Sequence, residues 1–196
     1  MTQKIKSNFV KNLEFHIDLL NKQKSDINKK IDKFSNLIIK KISSGGILYI
    51  AGNGGSAADS QHIATELTVR LAKNRKAIPA IALTTDTSAI TAIGNDFSFD
   101  KIFSRQIEAN VKSKDVLLLI STSGNSINII QALKVAKKRK IQTLLLLGNN
   151  GGKAKKLSKY SIIVNSSNPS RVQEVHILIY HSICEILEQY FEKRKI

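Results

Sequence analysis

The segment that decides the fold is Ile47-Leu48-Tyr49-Ile50-Ala51-Gly52-Asn53-Gly54-Gly55-Ser56, which continues through Ala57 to Glu66. Its five leading residues form the short, continuous apolar run that is typical of a strand covered on both faces. Three glycines follow, so the backbone can turn sharply into a helix. We expect Ser56 to cap this helix, with Asp59 completing a variant of the capping box. The free amide groups at such a helix start attract anions.

His62 and Glu66 lie four residues apart on this predicted helix. Side chains at that spacing emerge on the same face, one turn from each other. An imidazole and a carboxylate would therefore lie beside the candidate anion site. The same spacing is also common in solvated helix contacts, so both interpretations remain open for this segment alone.

Length and composition indicate one main structural unit. The chain has 196 residues and 42% hydrophobic content, enough to bury one substantial core. We expect an N-terminal helical extension over residues 1–44 and a single unit over residues 45–196. No apolar run approaches the ~18 residues of a membrane span, and residues 1–9 lack the apolar centre of a signal peptide. The cytoplasm is the expected location, and the single Cys184 is expected to be a packed core thiol.

The charge is strongly positive, with 31 Lys and Arg against 15 Asp and Glu and a formal net charge of +16. Such a charge suggests nucleic acid as a partner. The lysines, however, are scattered through helical patterns, and no aromatic residues are interleaved with them for stacking on bases. We therefore expect solvated helix faces and a positive field that attracts a phosphorylated substrate, and we do not expect nucleic acid as the partner.

Apolar and polar patterns along the chain predict alternating strands and helices. The N-terminal apolar spacing predicts two helices broken near Ser25, which we expect to pack on another subunit rather than on their own sheet. Strands are predicted at residues 47–51, 79–83, 115–120, 141–147 and 161–164, with helices at about 101–111, 127–138 and 169–192, and a turn at 94–96. This alternation predicts an α/β fold, a parallel sheet with helices on both faces and ligands at the carboxyl ends of the strands.

A second loop, Ser121-Thr122-Ser123-Gly124-Asn125-Ser126, follows the most apolar predicted strand and precedes a helix. Its hydroxyl groups and the amide groups of the helix start can surround a tetrahedral anion. The loop lacks the glycine and lysine pattern of nucleotide-binding loops. It therefore predicts a phosphate site for a small metabolite, with a serine-rich turn of no further function as the alternative.

Three segments together resemble the sugar isomerase (SIS) domain, and within it the phosphoheptose isomerase family: residues 52–66, 120–126 and 171–181. The resemblance covers most of the chain, including the helical N-terminus and the Ala92-Ile93-Gly94-Asn95-Asp96 segment. It implies a SIS-type parallel sheet flanked by helices on both faces. It also implies a homotetramer whose active sites are shared between subunits.

The resemblance also implies the roles of individual residues. Glu66 and His181 match the acid and base of catalysis. The ligands of one exchangeable zinc ion per subunit are implied to be His62, Glu66, Gln173 and His181. Contacts to the sugar phosphate are implied for Asn53, Gly54, Gly55, Glu66, Asn95, Asp96, Ser121, Thr122, Ser123, Ser126 and Gln173, with the hydroxyl residues holding the phosphate.

The implied reaction converts sedoheptulose 7-phosphate to D-glycero-D-manno-heptose 7-phosphate through an enediol, the first step of ADP-heptose biosynthesis for lipopolysaccharide or capsule. The alternative is a non-catalytic SIS-fold adaptor that binds the bacterial replication initiator. Such adaptors resemble this chain in the glycine loop but lack the complete acid, base and ligand set. The presence of Glu66 together with His62, Gln173 and His181 favours the enzyme.

Two features do not match this interpretation simply. Gln173 and His181 are eight residues apart, about 12 Å along one helix, so one ion reaches both only if their side chains converge or come from different subunits. His176 is a competing ligand on spacing alone. Ser170 occupies a position where some related sequences have Asp, so an assisting carboxylate is missing there.

Overall fold

Five parallel strands form one sheet in the computed structural model, which describes residues 7–193. The strand order is β2-β1-β3-β4-β5. The bounds are β1 Leu48–Gly52, β2 Ala80–Ala82, β3 Val116–Ser121, β4 Gln142–Gly148 and β5 Ser161–Val164. The predicted parallel sheet is thus confirmed, with strand ends shifted by at most one residue from the expected positions.

Helices cover both faces of this sheet, as the sequence predicted. They are α1 Phe9–Ser43, α2 Gly55–Thr68, α3 Thr87–Asp96, α4 Ile102–Asn110, α5 Ile127–Lys138 and α6 Pro169–Glu192. One core cluster joins α1, α2 and α6 to the sheet, and a second joins α4 and α5 to its other face. Alternate residues of β1 and β3 enter the two clusters, which explains why both strands are continuously apolar.

The N-terminal region is one continuous helix, so the predicted break near Ser25 is wrong. Residues 9–43 contain neither Gly nor Pro, and the buried stripe extends from Leu19 past Ser25 to Ile42. This stripe packs into the chain's own core rather than on another subunit. In the first turns of α1, by contrast, Phe9 and Val10 are exposed, so packing of the extension in an oligomer stays a prediction for that part.

The helix after the glycine loop begins earlier than predicted. Gly54, at φ +55°, is the N-cap of α2, so Ser56 and Asp59 lie inside the helix and both are buried. The predicted capping box is therefore wrong, because glycine reaches a positive φ without strain and the helix is capped two residues sooner, at Gly54. The predicted turn at 94–96 is also wrong, since these residues form the last turn of α3.

The two loops singled out in the sequence lie side by side. β1 and β3 are neighbours, and Gly52 pairs with Ile120 at their carboxyl ends. The chain leaves β1 for α2 on one face and leaves β3 for α5 on the other face. This arrangement is the switch point of an open parallel sheet, where ligands of such folds bind. Within residues 7–193, no helix combines the length and apolar character needed to cross a membrane.

Candidate active site

The hydroxyl-rich loop is held closed by its own side chains. Ser121 ends β3 and is buried, and its Oγ accepts a hydrogen bond from the Gly124 amide at 3.1 Å. The same Oγ lies 3.2 Å from Oγ of Ser126, which precedes α5. Thr122 is half-buried and Ser123 is exposed. The loop therefore presents hydroxyl groups and the free amides of α5 at one place, as a phosphate site requires.

The segment after β4, residues 149–154, braces the hydroxyl-rich loop. The Ala154 amide donates to the Gly124 carbonyl oxygen at 2.9 Å, and the Lys153 amide donates to Oδ1 of Asn125 at 3.0 Å. Gly124 has φ +63°, and a Cβ placed there would lie only 2.2 Å from the carbonyl oxygen of Gly151. Only glycine meets both requirements at this position, so the shape of the loop depends on it.

The glycine loop after β1 is tied to the same region by a pair of amides. Nδ2 of Asn53 donates to Oδ1 of Asn128, and Nδ2 of Asn128 donates back to Oδ1 of Asn53, both at 2.9 Å. Asn128 is buried in the first turn of α5. The reciprocal pair fixes the predicted sugar-binding loop relative to the predicted phosphate loop. Sequence reasoning missed Asn128, whose only signal is its position directly after the hydroxyl loop.

Three of the predicted metal and catalytic side chains come together on α2 and α6. Nε2 of His62 lies 2.9 Å from Oε1 of Glu66. The rings of His62 and His181 meet edge to face, with centroids 5.1 Å apart. One ligand atom from each of the three residues lies within 4.8 Å of the others. The His62 and Glu66 side chains keep 45% and 17% of their surface exposed, so a ligand can reach them.

Two buried side chains lie behind His62, and the sequence did not predict their role. The Tyr180 hydroxyl is 3.0 Å from Nδ1 of His62 and 3.5 Å from Oδ1 of Asp59. Burial raises the pKa of Asp59 and also raises the pKa of Tyr180, which the nearby Asp59 carboxylate raises further. Tyr180 therefore keeps its proton and can donate it in a hydrogen bond. Its position beside His181 in the sequence was the available signal.

His176 is excluded as the competing ligand in this conformation. Its side chain is fully buried, and its Nε2 lies 3.1 Å from the carbonyl oxygen of Leu147, which can only accept. Nε2 therefore carries the proton. Burial lowers the pKa of His176 to about 4. The residue is a neutral core histidine that supports the end of β4.

Gln173 lies apart from the three grouped ligands. A Cβ on Gly55 would be 2.1 Å from Nε2 of Gln173, so this side chain lies over the start of α2. His62 comes seven residues later, about 10 Å along the helix axis. Gln173 is therefore beside the predicted sugar-binding loop, and its role as a ligand of the same ion stays a prediction that requires a second subunit.

The remaining predicted positions are at the periphery. Asn95 and Asp96 are exposed at the end of α3, where Nδ2 of Asn95 donates to Oδ1 of Asp96 at 2.9 Å. Ser170 is exposed, and its amide donates to Oδ1 of the N-cap Asn168 at 3.0 Å. These contacts are local, so the substrate roles of Asn95 and Asp96 stay predictions.

A buried ionic network anchors the end of α2 that carries Glu66. The Arg75 guanidinium donates to the carbonyl oxygens of Glu66 and Leu67 at 2.7 and 2.8 Å. Glu188 of α6 lies 3.4 Å from Nε of Arg75. It also accepts hydrogen bonds at 3.1 Å from the backbone amides of residues 71, 72 and 73. The network locks α2 to α6 near His181.

Cys184 lies on the same helix, α6, and is buried. Burial raises the pKa of its thiol to about 12, as expected for an unreactive core thiol.

The grouped donors suit a zinc ion chemically. Two imidazole nitrogens and one carboxylate oxygen are typical of zinc sites that leave a fourth position for substrate. Their donor atoms lie within 4.8 Å of one another, which is close enough for the three side chains to share one ion. His62, Glu66 and His181 would hold the metal in this chain.

Comparisons with known proteins show the family of this chain. Residues 13–148 match the SIS domain family. The phosphoheptose isomerase 1 of Campylobacter jejuni is 50% identical over 170 residues, which cover 86% of this chain and 91% of the relative. The phosphoheptose isomerase of Aliarcobacter butzleri is 44% identical over 184 residues, covering 94% and 97%.

Solved structures give the same result. The phosphoheptose isomerase from Neisseria gonorrhoeae superposes with a TM-score of 0.88 at 37% identity, covering 93% of this chain and 97% of that one. A phosphoheptose isomerase from Francisella tularensis gives 0.89 at 31% identity, with the same coverage. The chain belongs to the SIS domain family and, within it, to the phosphoheptose isomerases, a family of enzymes.

Proposed function

We propose that this enzyme converts sedoheptulose 7-phosphate to D-glycero-D-manno-heptose 7-phosphate, the first step of ADP-heptose biosynthesis. The observation that carries the proposal is the grouping of Glu66, His62 and His181 on α2 and α6, with α2 following directly from the glycine loop at the switch point. The names of the relatives at 44% and 50% identity support the same substrate.

Substrate binding follows from the two loops. The hydroxyl groups of Ser121, Thr122, Ser123 and Ser126 and the free amides of α5 hold the phosphate. The loop at residues 53–55, with Gln173 over it, contacts the sugar chain. The net charge of +16 attracts the dianionic substrate from solution. Because the phosphate is held in one place, the length of the sugar chain determines where the reacting carbons C1 and C2 lie.

Proton transfer falls to Glu66 and His181. In the ketose, Glu66 takes a proton from C1, the electrons of that C–H bond form the C1=C2 bond, and solvent water donates a proton to the carbonyl oxygen to give the enediol. Protonated His181 then gives a proton to C2, while the C1 hydroxyl loses its proton to water and becomes the aldehyde. Exchange with solvent returns Glu66 to the carboxylate and His181 to its protonated form. His62, 2.9 Å from Oε1 of Glu66, holds the carboxylate in place.

Zinc, one ion per subunit, completes the proposal, with His62, Glu66 and His181 as ligands from this chain. When bound, the ion polarises the carbonyl oxygen of the substrate as a Lewis acid. Gln173 of a neighbouring subunit is the fourth proposed ligand.

We infer a homotetramer with shared active sites, located in the cytoplasm. Ile177 and Leu178 precede His181 by one turn of α6, and both expose large apolar side chains to solvent. Val69, directly after α2, is also exposed. Apolar side chains around a catalytic group are suited to burial by a second copy of the chain. Such a copy would also supply Gln173, which in a single chain lies over Gly55 and apart from His62 and Glu66.

Substitution of the two catalytic residues tests the proposal. We expect Glu66→Gln and His181→Gln to lower kcat by at least about 100-fold, the usual contribution of one acid or base, while substrate binding measured by calorimetry largely survives. Glu108→Gln is the matched control, because Glu108 is exposed on α4. A Glu66→Gln enzyme with ordinary turnover would refute the assignment. Binding of the replication initiator by a protein without turnover would support the adaptor instead.

A further inference from the structure

Asp59 and Tyr180 form a hydrogen-bonded chain that ends on the face of His62 opposite Glu66. Tyr180 is 1% exposed and Asp59 is 8% exposed. The Tyr180 hydroxyl lies 3.0 Å from Nδ1 of His62 and 3.5 Å from Oδ1 of Asp59. The other ring nitrogen, Nε2, lies 2.9 Å from Oε1 of Glu66. Both nitrogens of His62 therefore have a partner, and the two partners are on different helices.

A neutral imidazole has one N–H group, so these contacts allow two arrangements of the same protons. In the first, Nε2–H donates to Glu66, and the Tyr180 hydroxyl donates to Nδ1. In the second, Nδ1–H donates to the Tyr180 oxygen, and the Tyr180 hydroxyl donates to Asp59. Only the second leaves a lone pair on Nε2, the atom that faces Glu66. No proton is gained or lost between the two.

We propose that Asp59 and Tyr180 are positioning residues that hold His62 as its Nδ1–H tautomer when a divalent cation binds Nε2 and Glu66. The inference rests on the metal role in the proposed function. Asp59 is needed because the Tyr180 oxygen can accept from His62 only when its own hydroxyl hydrogen has another acceptor. The carboxylate supplies that acceptor, and its position on α2 one turn before His62 keeps it within reach.

The burial of Asp59 supports a role beyond stability. Within residues 7–193, no group donates a hydrogen bond to its buried Oδ2. A buried carboxylate oxygen without a partner destabilises a fold. An apolar residue at this position would avoid that loss, whereas it could not accept the hydrogen bond from Tyr180. The acceptor function is therefore the reason for a carboxylate here.

Removing only the hydroxyl group of Tyr180 isolates its effect on zinc binding by His62. Tyr180→Phe keeps the ring, which contacts His62 and His181 edge to face with centroids 5.5 and 4.8 Å apart. Tyr49→Phe is the matched control, because Tyr49 is a buried tyrosine in the other core cluster, and its hydroxyl lies 3.5 Å from the Asn110 carbonyl oxygen. Zinc affinity is measured by competition with a chromophoric chelator, and the tautomer by nitrogen-15 NMR of histidine-labelled protein.

We expect Tyr180→Phe to weaken zinc binding by about 10- to 100-fold, the usual effect of losing a partner of a ligand histidine, and to remove the Nδ1–H signature of zinc-bound His62. Tyr49→Phe should bind zinc like the unmodified protein. Equal zinc affinity and the same tautomer in a folded Tyr180→Phe protein would overturn the inference. If that variant does not fold, Asp59→Ala, which removes the acceptor of the Tyr180 hydroxyl, carries the test, with at least tenfold weaker binding expected and unchanged binding overturning it.

The outcome separates this inference from the proposed function. Failure of the unmodified protein to bind zinc overturns both the metal role and the positioning role. Conversion of the sugar phosphate is measured independently and tests the isomerase reaction itself.

Discussion

Replacing Gly124 by alanine perturbs the proposed phosphate loop in a way that the structure quantifies. The new Cβ would lie 2.2 Å from the Gly151 carbonyl oxygen and has to move to at least 3.0 Å, a shift of about 0.8 Å. The φ of +63° adds a penalty of about 1–2 kcal/mol for a residue with a side chain. The neighbouring atoms are backbone, so the two loops have to separate, and the hydrogen bond from Ala154 to Gly124 weakens.

Gly45→Ala is the matched control for this variant. Gly45 has φ +77° but no atom within 4 Å of its Cβ position, so alanine meets the conformational penalty without a collision. We expect Gly45→Ala to lower the free energy of unfolding by about 1–2 kcal/mol and to leave KM unchanged. Gly124→Ala should destabilise by about 2–5 kcal/mol, since overpacking adds about 1–3 kcal/mol to the same conformational penalty.

The assay combines urea unfolding with steady-state kinetics on sedoheptulose 7-phosphate. A displacement of about 1 Å in a substrate-positioning element can lower the rate by about 100-fold, so we expect kcat/KM of Gly124→Ala to fall by between ten- and 100-fold. Equal stability of the two variants, together with an unchanged KM for Gly124→Ala, would refute the proposal that this loop holds the phosphate.

Three further predictions concern the surroundings of the site. Gly55→Ala should displace the side chain of Gln173, which lies 2.1 Å from the new Cβ, and raise KM at least tenfold. Gly94→Ala is the control and should leave KM unchanged, because no atom lies within 4 Å of its Cβ position. Equal kinetics of the two variants would contradict the placement of Gln173. In the unmodified protein, the free energy of unfolding should fall by about 3 kcal/mol as the pH drops from 6.5 to about 4, because the unfolded state binds a proton at His176 before the folded state does. His176→Gln should lack this fall. Urea unfolding at both pH values measures it, and an identical pH profile in both proteins would contradict the prediction. Glu188→Ala should lower the free energy of unfolding by about 3–5 kcal/mol, because a buried guanidinium loses its partner; a loss below 1 kcal/mol in urea would contradict the ionic network.

The sequence predicted that the glycine loop and the hydroxyl-rich loop lie together, because their placement depends on chain order. Strongly apolar strands followed by glycine or hydroxyl loops indicated β1 and β3, and a parallel sheet brings their carboxyl ends to one edge. The i, i+4 spacing of His62 and Glu66 likewise fixed their contact within one helix. Such local rules hold without knowledge of the tertiary structure.

Contacts between distant segments were not predictable in the same way. Tyr180 meets Asp59 across 121 positions, and Asn53 meets Asn128 across 75. Neither pair has a periodic or spacing signal, because the packing of α6 and α5 on the sheet decides it. The continuous α1 was missed for a related reason, since Ser25 can cap a helix but is also tolerated inside a long one.

The most direct test of the central claim is proton NMR of sedoheptulose 7-phosphate incubated with the enzyme in deuterated water. The proposed reaction gives an aldoheptose phosphate that carries deuterium at C2, the carbon next to its carbonyl, and Glu66→Gln should form it at least about 100-fold more slowly. A folded protein that binds the sugar phosphate, yet gives neither product nor exchange at any carbon with zinc supplied, would contradict it.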